Sequence, residues 1–320
     1  MKNYASAIGI DIGRYSLKIA VVKIGGEIIA VKSFALNHKQ SKDYILEKLF
    51  EAIRDIRQTV ASEGINPICI GIAAKGFIDH NTGLVIGPDQ GIKNWLNVPL
   101  AKLVNKEAGL PVYVGNDANM MTIAEHRFGA ARGFNNVIFV ALRTGIGGGI
   151  IIKGKLYRGV NNAGGEVGQM IINYDNGLSD KGIKGSYEHH ASASAIVRKY
   201  YEELGIIHDK KIKPLQCKEI FELSYTGSPV AVKVVEENAE MVGVGLANLI
   251  AIFAPEIIVV GGGMSEAHDN YLSLIKKSAF ANSLENCRSV VKIERADLGQ
   301  VGSLLGVTYW GLNRLAGKSI

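Results

Sequence analysis

Ser6-Ala7-Ile8-Gly9-Ile10-Asp11-Ile12-Gly13 opens the stretch that decides the fold. A β-branched run ends in an Asp-Ile-Gly turn. A second strand follows over Leu17–Ile24, Gly25-Gly26 supply a tight hairpin turn, and a third strand covers Ile28–Lys32. Residues 136–157 repeat the pattern: Val137–Leu142, a turn over Thr144–Gly148, the strand Gly149–Ile152, and the tight turn Lys153-Gly154-Lys155. Each meander precedes a helix and a parallel-type strand, so the chain reads as α/β, two similar lobes facing one another across a ligand cleft. The expected division is an N-terminal lobe over 1–117 and a C-terminal lobe over 118–300, with a final helix, about 301–320, packing back on the first lobe.

The segments between the meanders fit this plan. Ser41 is placed to cap a helix in which Leu46, Leu49, Ile53, Ile56 and Val60 recur at helical spacing and Gly64 marks the end. Pro67–Ala73 and Glu256–Val260 read as buried parallel strands, and ligands in such sheets gather at the carboxyl ends of the strands. A helix over Val230–Phe253 carries Gly243 and Gly245, residues suited to close approach of another element.

At 320 residues the chain exceeds what one core usually supports, and 47% hydrophobic with 21% charged residues is ordinary globular composition. The net charge of +6 is scattered, with only Lys210-Lys211-Ile212-Lys213 concentrated, which reads as a solvated loop rather than a nucleic-acid patch. Cys69, Cys217 and Cys287 lack metal or disulfide spacing, the N-terminus lacks an apolar leader, and Pro255-Glu256 interrupts the most apolar stretch. A reduced, cytoplasmic protein without a membrane segment is expected.

Chemistry concentrates at the strand ends. Gly115-Asn116-Asp117-Ala118-Asn119 lies between a β-rich run and a helical one, where a carboxylate can serve as a base. Gly13, the Thr144-Gly145-Ile146-Gly147-Gly148-Gly149 run and Gly261-Gly262-Gly263 adjoin β-branched runs, and glycine lets backbone N–H groups approach phosphate oxygens. Gly147-Gly148-Gly149 alone reads rather as a plain tight turn, and pairing on two lobes reverses this in favour of phosphate. Asp11 can hold Mg²⁺ through water or accept turn N–H bonds. Asn116 and Asn119 are both candidate caps, Asn119 the preferred one. Adjacent His189 and His190 point in different helical directions and are not read as metal ligands, and Trp95 is read as packing.

These residues resemble the ROK family of bacterial sugar kinases, in particular its glucokinase branch. The resemblance covers nearly the whole chain: Asp11-x-Gly13 with Lys18, Lys75-Gly76-Phe77-Ile78-Asp79, Asn116–Asn119, Thr144–Ile150, Ala163-Gly164-Gly165-Glu166-Val167-Gly168, Gly182-x-x-Gly185-x-x-Glu188 and Gly261–Gly263. It implies the actin-like ATPase (ribonuclease H-like) fold and phosphoryl transfer from ATP, with Mg²⁺, to the 6-hydroxyl of glucose or a related hexose. By the same resemblance Asp117 is the general base, and Gly76, Asn116, Glu166, Gln169 and Glu188 hold sugar hydroxyls. Asp11, Gly13, Arg14, Ser16, Lys18, Thr144, Gly145, Gly262 and Gly263 face ATP, and a homodimer is implied.

The chain departs from the family pattern in places. Arg14 and Tyr15 replace a glycine and a phosphate-contacting threonine, Lys75 replaces a proline, and the spacing from Pro88 to Trp95 is longer. The structural zinc of many relatives takes one histidine and three cysteines, here Gln169, Ser179, Lys181 and Ser186, so no structural zinc is expected. Two alternatives remain: a sugar-binding member with weak or no kinase activity, or a kinase for fructose, N-acetylglucosamine or N-acetylmannosamine. A DNA-binding member would need a helix-turn-helix, for which the first strand near Ala7 leaves no room.

Overall fold

A computed structural model describes residues 5–13, 15–37, 40–87, 92–174, 183–206, 214–267 and 269–318. Its contacts divide the chain into two compact units, Met1–Gly133 with Ile151–Gly164 and Leu298–Ile320, and Phe134–Ile150 with Gly165–Asp297.

The first unit begins with β1 (Ser6–Ile12), β2 (Ser16–Lys23), β3 (Ile28–Ala35), β4 (Gln40–Ser41) and α1 (Lys42–Ala61). It continues through β5 (Ile70–Ala74), β6 (Ile78–Asp79), β7 (Leu84–Val85), β8 (Ile92–Lys93), α2 (Leu100–Ala108), β9 (Val112–Asn116) and α3 (Asp117–Phe128). Its five-stranded sheet has the order β3-β2-β1-β5-β9. The meander β1–β2–β3 is antiparallel, and β5 and β9 add in parallel. Gly26 makes the hairpin at φ +92°, open to glycine without strain. The parallel strand begins at Ile70 rather than Pro67, because proline has no N–H to donate; Ile68 N–H nevertheless reaches Ser6 O at 2.9 Å.

Ser41 Oγ accepts from Tyr44 N–H at 3.3 Å and caps α1. The stripe Ile45, Leu46, Leu49, Ile53, Ile56 and Val60 is buried against the sheet residues Ile8, Ile10, Ile19 and Ile72 in one core.

The second unit is built on β10 (Val137–Leu142) and β11 (Ile146–Ile152), after which the chain forms β12 (Lys155–Tyr157). Then come α4 (Tyr187–Ala191), α5 (Ala193–Glu203), α6 (Cys217–Tyr225), α7 (Pro229–Phe253), β13 (Ile257–Gly261), α8 (Asp269–Ala281), α9 (Glu285–Arg288) and β14 (Lys292–Arg295). The sheet order is β12-β11-β10-β13-β14, with β10, β13 and β14 parallel. In both sheets the order is third, second, first, fourth, fifth, which is the duplication visible in the two meanders.

One turn assignment is corrected. Gly147–Gly149 lie inside β11 and not in a loop. A Cβ on Gly148 would sit 2.5 Å from Val167 Cγ2 and 3.1 Å from Phe139 O, so glycine is required there by packing. In α7 a Cβ on Gly243 would meet Ser278 Cβ at 2.4 Å, and one on Gly245 the Tyr187 ring at 2.3 Å, which is why a long helix carries these weak helix formers.

The chain ends in α10 (Gly302–Leu315), which belongs to the first unit and packs on β1, β5 and α3. Glu125 on α3 is fully buried. Its Oε2 accepts from Ala130 N–H at 2.9 Å and its Oε1 from Leu298 N–H at 3.0 Å, tying the ends of two connections to the helix. Glu125→Ala leaves both part-buried donors without this carboxylate. Unfolding in denaturant is expected to show a loss of about 2 kcal/mol or more, and an unchanged midpoint would show that these bonds contribute nothing.

Candidate active site

In the first unit, β9 runs into α3 with no intervening loop, so Asn116 closes the strand and Asp117 opens the helix. Asn116 is extended (φ −68°, ψ 139°), and its Oδ1 accepts from Asn119 N–H at 3.1 Å. The cap is therefore Asn116. Asn119, the preferred candidate from sequence, lies within the first helical turn, too late to cap. Asn116 Nδ2 also donates to Gly76 O at 3.2 Å, which ties the Lys75-Gly76 turn, with Gly76 at φ +92°, to the β9 end. Asp117 is half-buried, and its Oδ1 accepts from Ala118 N–H at 3.0 Å. A carboxylate in a first helical turn is electrostatically favoured. Among the described residues no donor reaches the buried Asn119 Oδ1, an acceptor that suits a hydroxyl-bearing ligand.

The neighbouring β1–β2 connection turns tightly, with Gly13 N–H donating to Ser16 O at 2.9 Å. A Cβ on Gly13 would lie 2.9 Å from that same oxygen. Asp11 Oδ2 accepts from Ser303 Oγ at 2.7 Å, and Lys18 Nζ donates to Gln300 Oε1 at 2.8 Å. Ser303 and Gln300 were not foreseen: no local signal marks them, since they precede or open a helix almost at the other end of the chain. Tyr15 is 51% exposed, and Arg14 lies outside the described residues.

In the second unit, Glu188 on α4 is the organising carboxylate. Its Oε2 accepts from Ile146 N–H at 3.0 Å and its Oε1 from Gln169 Nε2 at 3.4 Å. A Cβ on Gly145 would meet Oε2 at 2.2 Å, so the glycine admits the carboxylate. Among the described residues no donor reaches the buried Gln169 Oε1, and Glu166 is exposed just before the short helical turn Val167–Gln169. Thr144 O accepts from Ser194 Oγ at 2.8 Å. At the end of β13, Gly262 adopts φ +91° and lies so close to Leu142 that a Cβ would be 2.3 Å from its carbonyl oxygen. A Cβ on Gly263 would meet nothing within 4 Å, leaving the backbone open to an approaching ligand.

Ser186 is the cap of α4, accepting from His189 N–H at 3.2 Å, and the stretch before it is held by Ile172 N–H to Gly185 O at 2.9 Å. Ser179, Lys181 and Gly182 lie outside the described residues, as do Pro88 and the Lys210–Lys213 run. Among the described residues no group of three or more His, Cys, Asp or Glu side chains could hold a metal ion. The His189 and His190 rings stack edge-on at 5.1 Å, and Trp95 is 2% exposed, a packing residue. Burial pushes the Cys69 and Cys217 thiols up to about 12, so neither is a nucleophile at neutral pH. No helix among the described residues is long and apolar enough to cross a membrane.

The profile of the ROK family matches residues 7–314. The chain is 34% identical to the glucokinase of Streptomyces coelicolor over 93% of its own length and 95% of that protein. It is 30% identical to the xylose repressor of Caldicellulosiruptor bescii, spanning 95% of this chain and 77% of the repressor. The crystal structure of a Streptomyces griseus ROK glucokinase in complex with glucose and AMPPNP superposes with a TM-score of 0.81 at 32% identity, covering 95% of this chain and 98% of that one. Solved ROK kinases of this kind have the actin-like ATPase fold, which is the fold of this chain.

Proposed function

The chain belongs to the ROK family, and on that premise we propose that it is an ATP-dependent hexose kinase of glucokinase type, with Asp117 as the general base. The observation that carries this reading is the junction of β9 and α3, where Asp117 is placed beside an Asn116 that binds the Gly76 turn. Strand carboxyl ends are where α/β sheets bind ligands, and a base must stand at a fixed edge.

In the first unit Gly76 and Asn116 are assigned to sugar hydroxyls, and in the second Glu166, Gln169 and Glu188. Among the described residues no donor reaches the buried Asn119 Oδ1 in the first unit or the buried Gln169 Oε1 in the second, and each oxygen by itself suits a hydroxyl donor such as a sugar supplies. Glucose is the favoured substrate from the Streptomyces relatives, with fructose and the N-acetylated hexosamines as alternatives. Asp117 takes the 6-hydroxyl proton as the oxygen–phosphorus bond forms and the bond from phosphorus to the ADP oxygen breaks. Such a base contributes ~10²–10⁴-fold.

For ATP, the open backbone at Gly263 and the positive φ of Gly262 suit a phosphate in the second unit, where Thr144 and Gly145 are also assigned, and in the first unit the tight Gly13–Ser16 turn does so by itself, with Ser16 and Lys18 assigned. Arg14 is assigned as a further phosphate donor. Mg²⁺, when bound with ATP, would neutralise phosphate charge, and Asp11 is the carboxylate assigned to it, oriented by Ser303. A homodimer in the cytoplasm completes the reading.

The test is ADP release measured with a panel of hexoses. Turnover with one or more sugars supports the kinase, whereas sugar binding without ADP release favours a binder with impaired catalysis. That second reading rests on Arg14 and Tyr15, bulky side chains where a glycine and a phosphate-contacting threonine are expected, Tyr15 being exposed. In the impaired case Arg14→Gly should restore ATP use.

The zinc-free reading has its own test. Gln169 and Ser186 are engaged in the hydrogen bonds given above, to Glu188 and at the start of α4, and neither side chain is a thiolate or an imidazole. Protein purified without chelator is expected to carry zinc far below stoichiometry, and EDTA in excess Mg²⁺ should leave turnover unchanged. Stoichiometric zinc in this loop would remove the basis for placing Glu188.

A further inference from the structure

Trp310 on α10 is 1% exposed, and its ring is surrounded by cations. Arg158 Cζ lies 5.9 Å and Arg314 Cζ 5.8 Å from its centroid, while Tyr113 meets it edge-on at 6.3 Å. One guanidinium over an indole is favourable, but two at one ring repel each other in a partly desolvated place. Arg158 feels this, drawn down to about 10 by burial first and by Arg314 second. His80 is likewise lowered, by burial and then by Arg158.

Among the described residues neither arginine has a carboxylate partner, and the only side-chain hydrogen bond either makes is Arg314 Nη2 to His80 O at 3.3 Å. The nearby Asp79 carboxylate is engaged by Thr82 Oγ1 at 2.6 Å and Asn81 N–H at 2.9 Å. Arg158 is also held in place: Gly164 N–H donates to its carbonyl at 2.8 Å, closing a loop in which Asn161 and Asn162 adopt φ 54° and 59°. Asn162 Oδ1 contacts His80 Nδ1 on the same side. Asparagine tolerates the left-handed region, but two in succession are uncommon and mark a built loop rather than a slack one.

We propose that Arg158 and Arg314, supported by Trp310 and flanked by His80, bind a doubly charged phosphate group. Two unpaired guanidiniums call for an anion of charge near −2. Their planar forks match tetrahedral oxyanions, and a single carboxylate would balance only one of them. Inorganic phosphate and a hexose phosphate share this chemistry. The site stands whether or not the kinase reading holds, since none of its residues has a role there.

The protein has two tryptophans, so Trp95→Phe makes Trp310 the sole reporter. Inorganic phosphate and glucose 6-phosphate are titrated separately at constant ionic strength, against chloride and acetate, while tryptophan emission is followed. A saturable change with phosphate is expected, absent with chloride and acetate, and weakened at least ~10-fold by Arg158→Gln, a half-exposed position that folding should tolerate. A response to both ligands assigns the bare phosphate group, and one to the ester alone assigns a sugar phosphate. The thermal midpoint gives an independent reading without Trp95→Phe: phosphate should raise it in the unaltered protein and much less in Arg158→Gln. No saturable emission change and no midpoint shift up to ~20 mM phosphate, or equal responses in the unaltered protein and Arg158→Gln, overturns the proposal.

Discussion

Asp117→Ala is expected to lower kcat for hexose phosphorylation by ~10²-fold or more while sugar binding, measured by calorimetry, stays within a few-fold of the unaltered protein. The fold should persist, because the side chain's bond to Ala118 N–H is a local one at a helix start, worth about 1 kcal/mol or less, whereas Asn116 carries the cap. Asp117→Asn separates the roles further. The amide keeps an acceptor for Ala118 N–H but cannot take a proton, so it should fold like the unaltered protein and turn over like the alanine variant. Near-normal turnover in either variant would falsify the assignment of Asp117 as the base.

The largest effect on stability is expected at Gly306. A Cβ there would stand 1.9 Å from Met120 O and 3.2 Å from Ala124 Cβ, so α10 and α3 touch backbone to backbone. No rotamer change relieves a clash with a carbonyl, and the helices must separate. Gly306→Ala is expected to cost about 3 kcal/mol or more, above the usual overpacking range's centre. Gly311, on the same helix, is the control: its added Cβ would find Tyr113 Cδ2 at 3.6 Å and Cys69 Sγ at 3.7 Å, ordinary contact. Gly311→Ala should be neutral or stabilising by up to ~1 kcal/mol, because alanine restricts the unfolded chain and favours helix. Denaturant midpoints at unchanged slope measure both. If the two variants lose stability equally, close approach at Gly306 is not what places α10.

Local chemistry, legible without coordinates, accounts for much of the fold. The β-branched runs around Ile8 and Ile138 become the central strands, Ser41 caps the helix whose stripe it precedes, and Gly26 makes its hairpin. These features depend on neighbours within a few residues, so spacing and residue type suffice. Asp117 was legible for the same reason, standing at a strand-to-helix junction. Which asparagine caps that helix was not, because it depends on how far β9 stays paired with β5, a contact from elsewhere in the chain.

Tertiary structure alone decided the rest. Ser303 reaches Asp11 across 292 positions and Gln300 reaches Lys18 across 282, pairings that no window along the chain contains. Buried Glu125 has meaning only once the Leu298 N–H arrives beside it, and Glu188 only once Ile146 and Gln169 do. Gly148 and Gly306 look like a turn former and a helix weakness in sequence; packing against Val167 and Met120 makes each a requirement. A polar or glycine position carries little information about its partner until the backbone donors and neighbouring elements are in place, since hydrogen bonding and steric fit act over ~3–4 Å and not along the chain.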